Sequence, residues 1–352
     1  MDFQLSDDQR ALRAGIRDLL AGRFGRDRMR SALDAGTGVD RGLWQELGAA
    51  GLFALRLPET EGGAGLGLPE AVLLFEEAGR TLLPGPLIAT HLAAGTVKGA
   101  AEGTAVVTAL DPGRPVEHLG DADGLLVLDP DTGPEPGSRQ APVKEVEQAP
   151  ERMWEQAAER VCAVTGEELR ELVRAAARPI RSLDPLTPLW HVTGPVAGPA
   201  GKRGQQHRNI RPAGARLRDE GALLAAAEQL GSAARTTEAA VQYAGAREQF
   251  GAPIGSFQAV KHLCADMLVR AELARCAVYA AAVTADPAEI AGAKLLADEA
   301  AIRNARDCLQ VHGGMGFTWE ADVHLHLKRA WLRSGQWITA AVAEECLASD
   351  LC

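Results

Sequence analysis

The sequence predicts a mainly α chain: a helical N-terminal domain, a reduced middle region that is part β and part irregular, and a C-terminal four-helix bundle. Three observations carry this. Long stretches keep apolar residues at three-and-four spacing; alanine and leucine abound while aromatics make up only 4% of residues, a bias toward helix over sheet; and prolines and glycines crowd near the centre of the chain. At 352 residues and 46% hydrophobic content, the core suffices for more than one domain. The compositional shifts place boundaries at 1–102, 103–218 and 219–352.

Taking the elements in order, Ser6 with Gln9 forms a capping-box pattern. Asp7 and Asp8 suit the positive end of the helix that follows, and Leu12, Ile16, Leu19 and Leu20 share one of its faces. A second helix is expected through GLWQELGAAGLFAL, ending at the glycine-rich turn of residues 57–67. A third, PEAVLLFEEAGR, opens with Pro69 in its first turn. TAVVTAL and GLLVLD read as short β runs, and DPDTGPEPGSRQAP as a turn-rich connection. A helical insert is expected in PERMWEQAAERVCAVTGEELRELVRAAA, followed by the turn-rich SLDPLTPLWH. Lys202, Arg203, His207 and Arg208 then form a basic stretch best read as a solvated loop. Helical periodicity returns over 220–246, 257–282, 289–311 and 328–347, the four members of the expected bundle.

Composition also excludes some functions. A formal charge of −10 argues against nucleic acid as the main partner. Cys162, Cys264, Cys276, Cys308, Cys346 and Cys352 contain no CxxC pair and suit reduced thiols packed in a cytoplasmic protein. The acidic N-terminal stretch lacks the pattern of a signal peptide, and no apolar run has the length of a membrane span. Glu320, His324 and His326 invite a metal reading, but a di-metal bundle needs glutamates and Glu-x-x-His pairs on further helices, so no metal is expected. The two histidines are read instead at a solvated helix start.

Two connectors carry unusual chemistry. AREQFGAPIGSFQ groups a guanidinium, an amide, an aromatic ring and glycines, and QVHGGMGFTWE sets bare backbone beside a glutamine. Guanidinium forks and exposed backbone amides both suit phosphate oxygens. Taken singly, Arg247 also fits a surface ion pair, and Gly313 and Gly314 a helix C-cap.

Together these connectors resemble the acyl-CoA dehydrogenase family. REQFGAPIGSFQAVKHLCADM is similar to its arginine-x-x-phenylalanine-glycine loop and the following helix, and QVHGGMGFTWE to its glutamine-x-x-glycine-glycine-x-glycine-phenylalanine signature. LSDDQRALRAGIRDLL and LFALRLPETEGGAGL resemble its first helix and its leucine-proline-glutamate-x-x-glycine-glycine turn. The resemblance implies an FAD held between the middle domain of one subunit and the bundle of its neighbour. It assigns Arg247, Gln249, Phe250, Phe257, Gln258, Gln310, Gly313 and Gly314 to that cofactor.

The reaction the resemblance implies, α,β-desaturation of an acyl-CoA thioester, needs a carboxylate to take the α-proton while hydride leaves for the flavin. The family keeps that glutamate at one of two places, which here hold Gly221 and Trp337. Glu220 is adjacent to the first, but one residue turns a helical side chain by about 100°. Its plainer role is to stabilise the helix N-terminus. The family's flavin-lining threonine-glutamate-proline-x-x-glycine-serine stretch is not found in the middle region.

The resulting expectation is a subunit that completes a partner's FAD site, resembling the non-catalytic partner in heteromeric acyl-CoA dehydrogenases of steroid and fatty acyl side-chain degradation. FEEAGRTLLPGPL is similar to that branch. The alternatives are a self-sufficient homo-oligomer with Glu220 as base, and a flavin-free helical interaction protein.

Overall fold

The computed structural model describes residues 4–36, 38–128, 162–193 and 217–350. Five helices open the chain: α1 (Asp7–Arg23), α2 (Arg26–Ala35), α3 (Arg41–Ala49), α4 (Leu68–Thr81) and α5 (Leu87–Ala93). The capping box holds, with Ser6 Oγ accepting from the Gln9 amide at 3.1 Å and Gln9 Oε1 from the Ser6 amide at 3.1 Å. Helices α2 and α5 escaped the periodicity reading. The expected second helix stops at Ala49 rather than Leu55, because Gly51 takes a φ of 80° and the chain turns there.

The middle region is richer in strands than two β runs. Strands β1 (Val107–Leu110), β2 (Val116–Glu117), β3 (Gly124–Val127) and β4 (Cys162–Thr165) precede helix α6 (Gly166–Ala176), and β5 (Ala177–Ile180) and β6 (Leu189–Val192) follow it. They form two three-stranded sheets, ordered β1-β3-β4 and β2-β6-β5, in which only β1 and β3 run parallel. The helical insert is therefore corrected: Cys162–Thr165 is a strand paired with β3, and the helix begins at Gly166. Alternation was unreadable in strands of four residues or fewer. Its small apolar cluster joins Leu110, Val116, Leu119, Leu125, Val164 and Leu169. The basic stretch at Lys202, Arg203, His207 and Arg208 lies outside the described residues.

The C-terminal bundle is built from α7 (Leu217–Ala246), α8 (Gln258–Thr284) and α9 (Pro287–His312), with a short hairpin of β7 (Glu248–Gln249) and β8 (Ala252–Pro253) between the first two. Its fourth member is not continuous. Instead α10 (Val323–Arg333) and α11 (Ala340–Asp350) flank a turn at which Trp337 adopts a φ of 60°. The expected solvated start of that member is also corrected. His324 and His326 are buried, and His326 Nδ1 pairs with Ser232 Oγ at 2.8 Å.

One apolar cluster joins the N-terminal helices to the bundle, running from Leu20, Trp44 and Phe75 to Leu223 and Ala297. Helices α4 and α7 cross at backbone contact: an added Cβ at Gly79 would lie 2.0 Å from the Glu228 carbonyl oxygen, and one at Gly231 would lie 1.9 Å from that of Glu76. The paired glutamates of FEEAGR are buried beside this crossing. Glu77 accepts from Arg17 of α1 at 2.6 and 2.8 Å, and Glu76 accepts from the Tyr279 hydroxyl of α8 at 2.6 Å. Among the described residues no helix is long and apolar enough to cross a membrane.

Candidate functional site

The predicted site residues fall into two groups at opposite ends of α7. At its C-terminal end, the Arg247 amide donates to Tyr243 O at 2.8 Å and the Ile254 amide to Arg247 O at 2.8 Å, closing a tight loop on the helix. The β7-β8 hairpin presents Glu248 and Gln249 outward, both exposed. Phe250, at the hairpin turn, has a φ of 55° and is 95% exposed. Among the described residues its aromatic neighbour is Phe257, edge-on at 6.2 Å, and Gln258 begins α8 on the exposed side. The Arg247 guanidinium is also exposed and makes no ion pair among the described residues.

The second connector meets the first. Tyr243 stacks on His312 at 4.1 Å, tying the end of α7 to the end of α9. Gln310, Gly313 and Gly314 are exposed there, Gly313 with a φ of 59°, and an added Cβ at either glycine would meet nothing within 4 Å. Arg247, His312 and Met315 open onto a cavity of about 970 Å³. Bare backbone, a free guanidinium and uncovered aromatic rings thus share one outward surface, a chemistry that fits the pyrophosphate and adenosine portions of a dinucleotide.

At the other end of α7, Glu220 is 1% exposed. Arg56 grips it with both terminal nitrogens, Nη1 to Oε2 at 2.7 Å and Nη2 to Oε1 at 3.2 Å. Glu220 lies in the first turn of α7, as the macrodipole reading expects, but it is buried there and its carboxylate also pairs with Arg56 from the turn that follows α3. Only the fold brings Arg56 near it. Gly221 and Trp337, the two positions where the sequence resemblance looks for a base, are in contact: an added Cβ at Gly221 would lie 2.2 Å from the Trp337 indole ring.

Trp337 borders a second cavity of about 480 Å³ between α5, the β1-β2 region and α10. Charged side chains that sequence reading missed lie along it. Arg333 Nε pairs with Glu228 at 3.0 Å, Arg329 donates to Asp184, and Gln336 Nε2 donates to Glu117. Burial pushes the Glu117 carboxyl up to about 7, aided by the negative charge of Glu228, and burial also raises the Glu228 carboxyl. Asp184 stays below its ordinary value: burial opposes ionisation, but the charge and hydrogen bond of Arg329 outweigh it. Charges spaced along amphipathic helices give no sequence signal of burial. Among the described residues no cluster of three or more His, Cys, Asp or Glu could hold a metal.

Residues 6–104 match the family model for the acyl-CoA dehydrogenase N-terminal domain, and residues 216–334 that for the C-terminal domain. Acyl-CoA dehydrogenase IpdE2 of Mycobacterium tuberculosis is 35% identical over 333 residues, covering 92% of this chain and 91% of the relative. Butyryl-CoA dehydrogenase from Megasphaera elsdenii superposes with a TM-score of 0.72 at 18% identity over 100% of both chains. A structure of the Tcur3481-Tcur3483 steroid ACAD superposes with a TM-score of 0.71 at 23% identity, covering 98% of each chain. The two matched domains and the near full-length similarity place this chain in the acyl-CoA dehydrogenase family of flavoprotein oxidoreductases, whose cofactor is FAD.

Proposed function

We propose that this chain is the supporting subunit of a heteromeric acyl-CoA dehydrogenase and completes the FAD site of a catalytic partner. In this reading Arg247, Gln249, Phe250, Phe257, Gln258, Gln310, Gly313 and Gly314 contact the partner's cofactor, and the three-part division at 102 and 218 separates the helical, middle and bundle regions. When bound, FAD would supply the hydride acceptor for the acyl-CoA thioester. This chain's own part is to hold the anionic and aromatic ends of the cofactor.

The observation that carries the proposal is the contact between Gly221 and Trp337. Both positions where a proton-abstracting carboxylate is expected lack one, and the indole occupies the space between them. The nearest carboxylate in sequence, Glu220, is committed to Arg56. Distance supports donation in trans: at 1.5 Å per helical residue, α7 separates Glu220 from Arg247 by about 40 Å, more than one extended dinucleotide spans. The loop surface therefore serves a site other than the one beside Trp337. The steroid ACAD among the structural neighbours favours a bulky acyl group such as a steroid side chain as the substrate of the assembly.

Arg247→Ala tests the cofactor role. A charge-assisted contact is worth roughly 1.5–3 kcal/mol, so FAD content of the assembled complex should fall about tenfold or more at limiting FAD while circular dichroism stays constant. Unchanged FAD occupancy would remove Arg247 from the site.

A further inference from the structure

We infer that Arg26 and Arg30 of α2 are positioning residues for the candidate cofactor surface. They fix the connector between α9 and α10, so that its bare glycines are set in place before a cofactor binds. The inference rests on the reading of that surface given above and adds the N-terminal domain to it.

The connector, residues 313–322, has little of its own to order it. Its first half, Gly313–Phe317, is a 3₁₀ helix, a form with poor hydrogen-bond geometry that rarely runs longer. Met315, Phe317 and Trp319 are 51%, 75% and 62% exposed, so their burial contributes little. The hold comes from α2. Arg26 donates from Nε to Asp322 Oδ2 at 2.5 Å and from Nη2 to the Glu320 carbonyl at 2.8 Å. Arg30 donates to the Trp319 carbonyl and to the other oxygen of Asp322. Two guanidinium forks one helical turn apart thus grip two main-chain carbonyls and one carboxylate, and charge-assisted forks of this kind fix geometry as well as adding energy.

Asp322 shows which task the fold favours. It stands at the N-cap of α10, where an aspartate ordinarily accepts from the amides of the first turn, yet its side chain makes no capping bond. Both of its oxygens go to the arginines instead. Arg26, Glu320 and Asp322 line the same cavity of about 970 Å³ as Arg247, His312 and Met315, so the clamp and the candidate cofactor contacts share its walls. A connector already held in its binding form loses less freedom when a ligand arrives, and affinity rises accordingly. Arg28 supplies an internal control on the same helix. It ties α2 to Asp40 at 2.7 Å and to the Arg23 carbonyl at 2.9 Å, away from the connector.

The test is the variant Arg26→Ala with Arg30→Ala, read in two ways. In the full chain alone, hydrogen exchange at the amides of residues 313–322 should quicken about tenfold or more while the helices of the bundle keep their protection. In the assembled complex, titration of FAD into the flavin-depleted protein should show about tenfold weaker binding. Arg26→Lys with Arg30→Lys, which keeps a donor at each position, should recover part of both losses, and Arg28→Ala should cause neither. Unchanged exchange or unchanged FAD affinity in the alanine variant, or equal losses in Arg28→Ala, would overturn the inference. If the double variant does not fold, Arg26→Ala alone decides, since that side chain is 59% exposed. Arg247→Ala in the same titration separates the two levels: weakened FAD binding there alone sinks only the clamp, whereas no effect from any of these arginines sinks the cofactor surface itself.

Discussion

Glu220 and Gly221 show how far one residue changes the meaning of a carboxylate. A glutamate at the start of a 30-residue helix reads as a dipole stabiliser, yet the fold buries it and spends both oxygens on Arg56. A base must be free to reach the substrate, and this one is held. Glu220→Gln in the assembled complex should leave acyl-CoA turnover within a few-fold, because no proton transfer passes through it; a general base would lose about 10²- to 10⁴-fold. The same change leaves Arg56 facing a neutral amide, so thermal unfolding should shift downward by the equivalent of about 1.5–3 kcal/mol. Turnover and melting temperature measured on the same sample separate the two roles. A hundredfold loss of turnover with intact flavin would make Glu220 catalytic.

Among the elements, the crossing of α4 and α7 fixes where the chemistry sits. Backbones meet where Gly79 and Gly231 lack side chains, so α7 lies close enough to α4 for Glu228 to reach Arg333 and for Glu76 and Glu77 to gain partners on α8 and α1. Gly231→Ala would drive a Cβ into the Glu76 carbonyl, which as backbone cannot step aside. Overpacking of this kind costs typically about 1–3 kcal/mol, and a melting temperature lowered accordingly is expected. Unchanged stability would mean that the two helices slide apart without cost. The long helices were legible because their apolar spacing persists for many turns. Strands β2, β4, β5 and β6 were not, since alternation over two to four residues is too short to register. The break between α10 and α11 was hidden because Trp337 holds a positive φ that sequence assigns to glycine. Arg247 and the Gly313-Gly314 pair stand out in the sequence through the family resemblance of their connectors, and the fold leaves all three exposed. Arg56, Glu117 and Arg333 do not stand out, because their roles exist only after distant segments pack.

Over the whole molecule, three histidines sealed in neutral form lower stability as pH falls. Burial lowers His91 to about 4, with Arg56 adding to the effect, and lowers His118 and His326 to about 3. Below the ordinary value of 6.5 the unfolded chain binds protons that the folded chain refuses. Their contribution is therefore complete above about pH 6.5 and is lost as pH falls toward about 3. Each contributes a slope of up to about 1.4 kcal/mol per pH unit. Glu117 acts oppositely between about 4.5 and 7, because its folded value is raised, and Glu228, Asp121 and Asp298, also raised by burial, act in the same sense. His326→Gln should flatten the acid limb of the stability profile by about one proton's worth in denaturant titrations across that range, and an unaltered slope would show that His326 is not held neutral.

In the proposed assembly the outward loops at the end of the bundle serve a cofactor held by another subunit, while Trp337 closes the space beside Gly221. The most direct measurement is the flavin content and acyl-CoA turnover of the full chain purified alone, beside the same chain coexpressed with a catalytic acyl-CoA dehydrogenase subunit. Alone, the chain should be colourless and inactive; in the complex, FAD and turnover should appear together. A yellow homo-oligomer that carries FAD in full and oxidises an acyl-CoA without any partner would contradict the account.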